Sequence, residues 1–269
     1  MASKDALEAL MLGQKYSSYR LYFFAFIAGF IALFAFSPFD FIPFLFISYA
    51  ILFYLGYSHR YDIKRTIIVG QAYGFGYFLG GLYWVGNALL VDPSQFLIFT
   101  PLAYIGLPFG LSLFYLLALL LVRLVAIRTT DSKIIYFIYM AIILSCFDGL
   151  RSFIFTGFPW NIPLYATAFS DMLMQPTYYL GPYIYNSLIV FIALSFGLYF
   201  FIKKRSIVIL ALIECSLLGG LCLVGDYRLN NLELIEQDDY IFRIIQPNIA
   251  QNIRWEEHHK YAHFEKLKR

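Results

Sequence analysis

The stretch Asp148–Ala166, DGLRSFIFTGFPWNIPLYA, contains the residue types best suited to chemistry at a lipid surface. Asp148 and Arg151 are three positions apart, so a helix would place them on one face. The planar fork of an arginine matches phosphate oxygens, and the amphipathic rings of Trp160 and Tyr165 favour the headgroup level of a membrane. These four side chains are predicted to bind a phosphate-bearing lipid headgroup.

A second interpretation of the same stretch is purely structural. Asp148 and Arg151 would neutralise each other, and Trp160 would only anchor the loop at the membrane interface. Such charge pairs and aromatic belts are common in membrane proteins. The residues alone do not decide between the two interpretations.

Trp84 and Asn87 are two further binding candidates, near the end of the apolar run GQAYGFGYFLGGLYWVGNALL. Their position predicts that they line a lipid or substrate cleft. The same run has glycines at two pairs of positions that are four apart, Gly70 with Gly74 and Gly76 with Gly80. Small residues at this spacing let helices approach closely, so the glycines are predicted to pack helices.

Glu214 lies near the middle of an apolar run, where a carboxyl group is costly and is a functional-site hypothesis by default. The alternative is a protonated, hydrogen-bonded side chain. His259 and His263 have a spacing that suits zinc, but no third ligand is evident, so no metal site is predicted. The three cysteines are expected to be inert packing groups: Cys146, Cys215 and Cys222.

The composition decides which elements must position these residues. Hydrophobic residues form 61% of the chain and charged residues 14%, against about 25% charged in a typical soluble domain. The mean hydropathy is +0.68. A polytopic membrane protein is therefore predicted, and the net charge of +3 gives no indication of nucleic-acid binding.

The apolar runs predict an all-α polytopic membrane bundle of about seven transmembrane helices. A span needs about 20 apolar residues, and the predicted spans are residues 21–39, 41–57, 66–91, 96–122, 134–155, 178–202 and 206–224. Pro38 and Pro43 predict a tight turnaround between the first two spans. The fifth span must continue past its uncharged part, which places Asp148 and Arg151 towards one membrane face.

The distribution of basic residues predicts the orientation. Twelve lie in the leader, residues 1–20, and in alternate loops on the same side, whereas Arg151 alone lies in the loops on the other side. The positive-inside rule then places the leader in the cytoplasm and the C-terminal tail outside.

The composition shifts after Val224. Residues 225–238 are a polar connector. Residues 239–269 contain YIFRIIQ, Tyr240–Gln246, which predicts one buried strand, followed by a helical pattern. One strand and one helix cannot form a core. The tail is therefore interpreted as the truncated beginning of a soluble α/β domain.

Four segments give the chain a resemblance to the bacterial apolipoprotein N-acyltransferase family: FSPFDFIPF, GFGYFLGGLYWVGNAL, DGLRSFIFTGFPW and IIQPNIAQNIRWEE. The resemblance implies a multi-pass protein of the bacterial inner membrane with a periplasmic nitrilase-like domain. It also implies a phospholipid acyl donor and, as acceptor, the N-terminal diacylglyceryl-cysteine of an apolipoprotein, with no cofactor.

In that family a cysteine nucleophile, a glutamate base and a lysine act together, and all three are expected beyond Arg269. No catalytic residue is therefore expected in this chain, which is predicted to be inactive alone. A separate chain that completes the domain would make it half of a split enzyme. Two alternatives are a non-catalytic lipid-binding scaffold and an unrelated transporter, the latter disfavoured because no two-fold repeat is visible.

Overall fold

The computed structural model describes residues 18–90, 96–129, 132–154, 157–231, 243–250, 253–254 and 256–268. The regular elements of these residues are helices, as the sequence predicts for the membrane bundle. Numbered along the chain, the α-helices are α1 Ser18–Phe30, α2 Pro43–Ser58, α3 Ile63–Leu82, α4 Leu107–Thr129, α5 Lys133–Arg151, α6 Asp171–Met174, α7 Pro176–Ser195, α8 Lys204–Asn230 and α9 Lys260–Lys268. Short 3₁₀ segments extend α1, α3 and α7 at their C-terminal ends, at Ile31–Ala35, Tyr83–Leu90 and Phe196–Phe200.

Helix α3 is the centre of the bundle. It packs between α1 and α4, and α4 in turn packs on α5. Helix α7 joins α5 to α2, while α8 contacts the bundle chiefly through α6. Helix α7 is kinked at Gly181, which has φ of +72° and precedes Pro182.

Within the part of the chain that the structure describes, five helical segments are long and apolar enough to cross a membrane: Ser18–Ala35, Leu97–Arg128, Lys133–Arg151, Pro176–Phe200 and Ser206–Asn230. They correspond to five of the seven predicted spans. The other two predicted spans fall on α2, whose 16 residues extend about 24 Å at 1.5 Å per residue, and on the 20-residue α3. A multi-pass helical bundle is the result, and the count of seven spans stays a prediction.

The glycines of α3 pack helices on two sides, as their spacing predicts. A Cβ at Gly70 would lie 2.7 Å from Leu116 Cα, on α4, whereas a Cβ at Gly76 would lie 2.1 Å from the Phe26 carbonyl oxygen, on α1. Gly74 and Gly80 extend these two contacts along the helix. Backbone approaches as close as those at Gly70 and Gly76 are available only to glycine, so these two residues set the positions of α4 and α1 against α3.

Two helix ends differ from the predicted spans. Helix α5 ends at Arg151, and α8 continues to Asn230, past the predicted end at Val224. The extension is stabilised because Gly225 lies against the Met172 carbonyl and Arg228 donates a hydrogen bond to Gln175. The polar connector thus begins as helix, and its residues 232–238 lie outside the described residues.

The nitrilase-like beginning of the tail stays a prediction. Residues 240–242 of the predicted strand lie outside the described residues, and residues 243–246 form no strand, with Ile244 95% exposed. The helical pattern that follows forms α9, which packs on a 3₁₀ turn at Glu257–His259. An extended segment needs neighbouring strands to pair its backbone.

Glu214 on α8 is hydrogen-bonded, which is the part of the second interpretation that the structure describes. It is 4% exposed and accepts hydrogen bonds from Ser195 Oγ and, at 2.5 Å, from Tyr199 Oη. Its partners lie at the end of α7 and in the following 3₁₀ segment. This cluster fixes the middle of α8, a helix that is otherwise largely exposed.

Replacing Glu214 with alanine should destabilise the docking of α8 by about 1–3 kcal/mol, because the two hydroxyl donors lose their acceptor. Glu214→Gln keeps one acceptor oxygen and should retain most of the stability. Thermal unfolding in detergent micelles measures both variants. Equal melting temperatures for Glu214→Ala and the native protein would show that the cluster does not hold α8.

Candidate functional site

The Asp148–Arg151 pair closes the last turn of α5. Arg151 Nη2 lies 3.3 Å from Asp148 Oδ1, and the two residues are 1% and 7% exposed. The spacing of three residues brings the side chains together on one helix face, as predicted. This face points into the bundle, so the pair is buried.

Arg151 also holds the loop that follows α5. Its Nη1 donates hydrogen bonds to the carbonyl oxygens of Phe158 at 2.7 Å and Trp160 at 2.5 Å. The chain reverses through Gly157, which has φ of +86°, and the Phe158 amide donates to the Arg151 carbonyl at 2.9 Å. The guanidinium therefore organises the loop from inside, through the carbonyl groups of Phe158 and Trp160.

Asn186 on α7 completes the buried network. Its side-chain amide donates to Asp148 Oδ2 at 3.1 Å, and its carbonyl oxygen accepts the Leu164 amide at 2.9 Å. Asp148 thus links α5 to α7 and, through Asn186, to the 3₁₀ turn Pro163–Thr167. Sequence analysis missed Asn186, although an amide within the apolar run YIYNSLIV was a visible signal.

The loop is also fixed on α3, through Asn161. This residue has φ of +55°, and its carbonyl accepts a hydrogen bond from Tyr77 Oη at 2.7 Å. Its side chain lies so close to Gly81 that a Cβ there would be 1.4 Å from Asn161 Nδ2. Tyr77 and Asn161 are further residues that sequence analysis did not single out.

Below Tyr77 is a buried group of tyrosines that supports it. Tyr49 and Tyr115 pair their hydroxyl groups at 2.9 Å, and Tyr73 pairs with Ser48 at 2.7 Å. The Tyr77 ring is 5.3 Å from the Tyr115 ring and 6.2 Å from the Tyr73 ring. Aromatic packing with satisfied hydroxyl groups makes this support rigid.

The remaining candidates form an exposed rim. The rings of Trp84 and Trp160 meet edge to face at 5.4 Å, and the two residues are 44% and 50% exposed. Asn87 is also exposed and accepts a hydrogen bond from Tyr104 at 2.5 Å. Tyr165 is 37% exposed, and partial burial raises the pKa of its phenol, so this group is a neutral donor.

An apolar cavity of about 650 Å³ lies beside this network. Its walls come from the Tyr83–Leu90 segment, from the first half of the Leu97–Arg128 segment and from the end of α5. Arg151 is the charged residue in the described lining, and Phe158 and Ile154 close the same side. A cavity of this size and polarity suits a hydrocarbon chain.

The cysteines and histidines lie elsewhere. Cys146 and Cys215 are exposed on α5 and α8, and none of the three cysteines is part of the described cavity lining. In the tail, ligand atoms of Glu256, His258 and His259 lie within 4.8 Å of one another. The Nε2 atoms of His258 and His259 lie 3.2 and 3.4 Å from the Glu256 carboxylate, and these contacts already account for the arrangement.

Comparison with known proteins identifies relatives of the chain. Residues 28–195 match the family model described as "Apolipoprotein N-acyltransferase N-terminal domain". A curated apolipoprotein N-acyltransferase of Brucella melitensis is 35% identical over 257 residues, which are 90% of this chain and 46% of the relative. The corresponding protein of Rickettsia bellii is 31% identical over 196 residues, 73% of this chain and 38% of the relative.

A third relative, the apolipoprotein N-acyltransferase of Sinorhizobium fredii, is 39% identical over 178 residues, 63% of this chain and 33% of the relative. The chain spans about half the length of the curated relatives it matches. The matched family segment includes α2 to α7, and with them the buried network and the cavity.

Proposed function

The chain belongs to the apolipoprotein N-acyltransferase family, and from that membership we propose that its helical bundle binds the phospholipid that donates the acyl chain. The acyl chain lies in the cavity beside Arg151, and the headgroup lies at the rim formed by Trp84 and Trp160. By binding this phospholipid, the bundle contributes to the N-acylation of an apolipoprotein. The whole activity also requires a nucleophile, a base and an oxyanion stabiliser, roles that the family resemblance assigns to no residue of this chain.

The single observation that supports this proposal is the position of the cavity. An apolar space of about 650 Å³ directly adjoins DGLRSFIFTGFPW, one of the segments most specific to the family. Hydrocarbon needs an apolar wall, and a polar headgroup needs amphipathic side chains at the mouth. The rim residues are not part of the described lining, but Asn87 and Trp160 are each two positions along the chain from a lining residue, Leu89 and Phe158.

Arg151 acts as a positioning residue in this proposal. The Arg151 side chain is 1% exposed. Its Nη1 donates to the carbonyl groups of Phe158 and Trp160, and its Nη2 donates to Asp148. A headgroup phosphate would have to displace these partners to reach the guanidinium. Contact with the headgroup is therefore assigned to Trp84, Asn87, Trp160 and Tyr165, while Asp148 and Arg151 hold the loop that presents Trp160.

The orientation in the membrane follows the distribution of basic residues. We propose that the N-terminal end of α1 faces the cytoplasm. The Asp148–Ala166 stretch and the tail then lie on the periplasmic side of an inner membrane. The donor would then be taken from the periplasmic leaflet. An apolipoprotein acceptor anchored in that leaflet would meet the same face of the bundle.

Gly110→Leu should block acyl-chain binding without disturbing the fold. Gly110 lines the cavity, and a Cβ at this position meets no atom within 4 Å. An acyl chain forced in beside the new leucine would overpack the cavity at a cost of about 1–3 kcal/mol, so binding should fall about tenfold. Photocrosslinking with a phospholipid that has a photoreactive acyl chain measures this loss.

Gly219→Leu is the matched control, because Gly219 on α8 also has open space at its Cβ but does not line the cavity. Crosslinked peptides in the native protein should come from Leu102–Phe114 and Phe158. Undiminished crosslinking in Gly110→Leu, or crosslinks confined to α8, would rule out the cavity as the acyl-chain site.

A further inference from the structure

A second group of cations lies at the opposite end of the bundle from Arg151. Arg60 follows α2, Arg123 lies in the last turns of α4, and Lys133 begins α5. The three residues are half-buried rather than fully solvated. We name Arg60, Arg123 and Lys133 the basic cluster.

Aromatic residues hold Arg60 in one place. Its guanidinium carbon lies 3.9 Å from the centroid of the Tyr57 ring and 4.3 Å from that of Tyr61. Its Nη1 donates to the Tyr57 carbonyl at 2.8 Å. Two ring contacts and a hydrogen bond distinguish this side chain from a mobile surface arginine.

Arg123 converges on the same turn. Its Nη2 donates to the Tyr61 carbonyl at 3.4 Å, and its Nε is buried without a hydrogen-bond partner among the described residues. Lys133 reaches the Phe201 carbonyl at 2.6 Å, and the Phe201 ring lies 5.0 Å from the Tyr57 ring. A buried N–H that lacks an acceptor favours a ligand with oxygen atoms.

Asp62, which follows Tyr61 in the sequence, already has partners for its carboxylate. Asp62 accepts the amides of Lys64 and Arg65 at the start of α3 and pairs with the Arg65 side chain at 3.4 Å. His59 contributes no charge to this end near neutral pH, because burial and the neighbouring Arg65 lower its pKa. Neither Arg123 nor Lys133 forms an ion pair within the described part of the chain.

We propose that the basic cluster binds the phosphodiester of an anionic phospholipid at this membrane face. The planar forks of Arg60 and Arg123 match phosphate oxygens, and the buried Arg123 Nε supplies a donor that needs an acceptor. Tyr57 lies in the last turn of α2 and Tyr61 follows this helix, and aromatic rings at the end of a membrane helix favour the headgroup level. The site is separate from the proposed acyl-donor cavity, which lies at the other end of the bundle, and does not depend on it.

The test is native mass spectrometry of the purified chain in micelles that contain equal amounts of phosphatidylglycerol and phosphatidylcholine with the same acyl chains. The native protein should retain phosphatidylglycerol in preference to phosphatidylcholine. Arg123→Gln should weaken this retention about fivefold, since each basic residue near an anionic headgroup contributes about 1 kcal/mol. Arg60→Gln combined with Arg123→Gln should abolish the preference.

Lys64→Gln is the matched control, because it removes the same charge from the same end of the bundle at an exposed side chain. It should keep retention within about twofold of the native value. Arg123→Lys keeps the charge but loses the fork, and an intermediate loss is expected; this variant tests the site even if Arg60→Gln disturbs folding.

Two results would overturn the proposal. Equal losses in Lys64→Gln and Arg123→Gln would mean that diffuse surface charge alone attracts the lipid. Displacement of phosphatidylglycerol by excess inorganic phosphate would mean that the site binds a free anion rather than a lipid. Retention that survives phosphate but not Arg123→Gln supports a lipid headgroup site.

Discussion

Replacing Arg151 with alanine should lower the free energy of unfolding by about 3–5 kcal/mol, because removal of one partner leaves a buried charge without compensation. Asp148 would keep only the hydrogen bond from Asn186. The carbonyl groups of Phe158 and Trp160 would also lose their donor. Chemical unfolding in detergent micelles, followed by tryptophan fluorescence, measures the change.

Three comparison variants separate the parts of this effect. Arg151→Lys keeps the charge but cannot reach Asp148 and both carbonyl groups at once, so an intermediate loss is expected. Combining Arg151→Met with Asp148→Asn leaves no buried charge and should cost less than the sum of the single changes. Arg128→Ala, at an exposed arginine in the last turn of α4, is the control and should change stability by less than about 0.5 kcal/mol. We call the contacts of Arg151 with Asp148 and with the carbonyl groups of Phe158 and Trp160 the clamp. A loss of stability below about 1 kcal/mol for Arg151→Ala would contradict it.

Gly76→Val should displace α1 from the bundle and cost about 3 kcal/mol or more, the upper range for overpacking. The new Cβ would lie 2.1 Å from the Phe26 carbonyl oxygen, and the obstacle is backbone rather than a flexible side chain. Gly29 faces the same interface from α1, where a Cβ would lie 2.0 Å from the Tyr73 carbonyl oxygen. The melting temperature and the proteolytic sensitivity of α1 measure the effect.

Gly80→Ala and Gly110→Ala test whether the loss of stability follows the space available to the new Cβ. A Cβ at Gly80 would meet Leu33 and Phe30 at 3.2 Å, a contact that a small shift relieves, while a Cβ at Gly110 meets open space. Gly110→Ala should therefore be the most stable of the three variants, Gly80→Ala the next, and Gly76→Val the least stable. Similar stability for all three variants would show that α1 and α3 are not in the close contact described.

The clamp and the glycine contacts are connected through α3. Gly76 and Gly70 set α1 and α4 against α3, and the same helix presents Tyr77 to the loop carbonyl of Asn161. Arg151 holds the loop from the other side. A binding rim on a loop keeps its geometry only when rigid elements support it, so changes at α3 that lie far from Trp160 should also disturb lipid binding.

Local patterns in the sequence determined much of the fold. Long apolar runs predicted the helical bundle, because a chain with 14% charged residues cannot cover a water-facing surface. Pro43 begins α2 at the predicted turnaround, and glycines four residues apart do lie at close helix contacts. The pairing of Asp148 with Arg151 also followed from a spacing of three residues within one helix.

Contacts between distant parts of the chain were decided only by the tertiary structure. Asn186 bonds to Asp148 across 38 positions, and Tyr77 bonds to Asn161 across 84; neither separation leaves a periodic signal. Packing also decided that the Arg151 guanidinium points inward to the loop carbonyls, because the chain turns back over it at Gly157, which has a left-handed conformation. The apolar cavity arises in the same way, since it is the space left between helices whose positions the glycines of α3 determine.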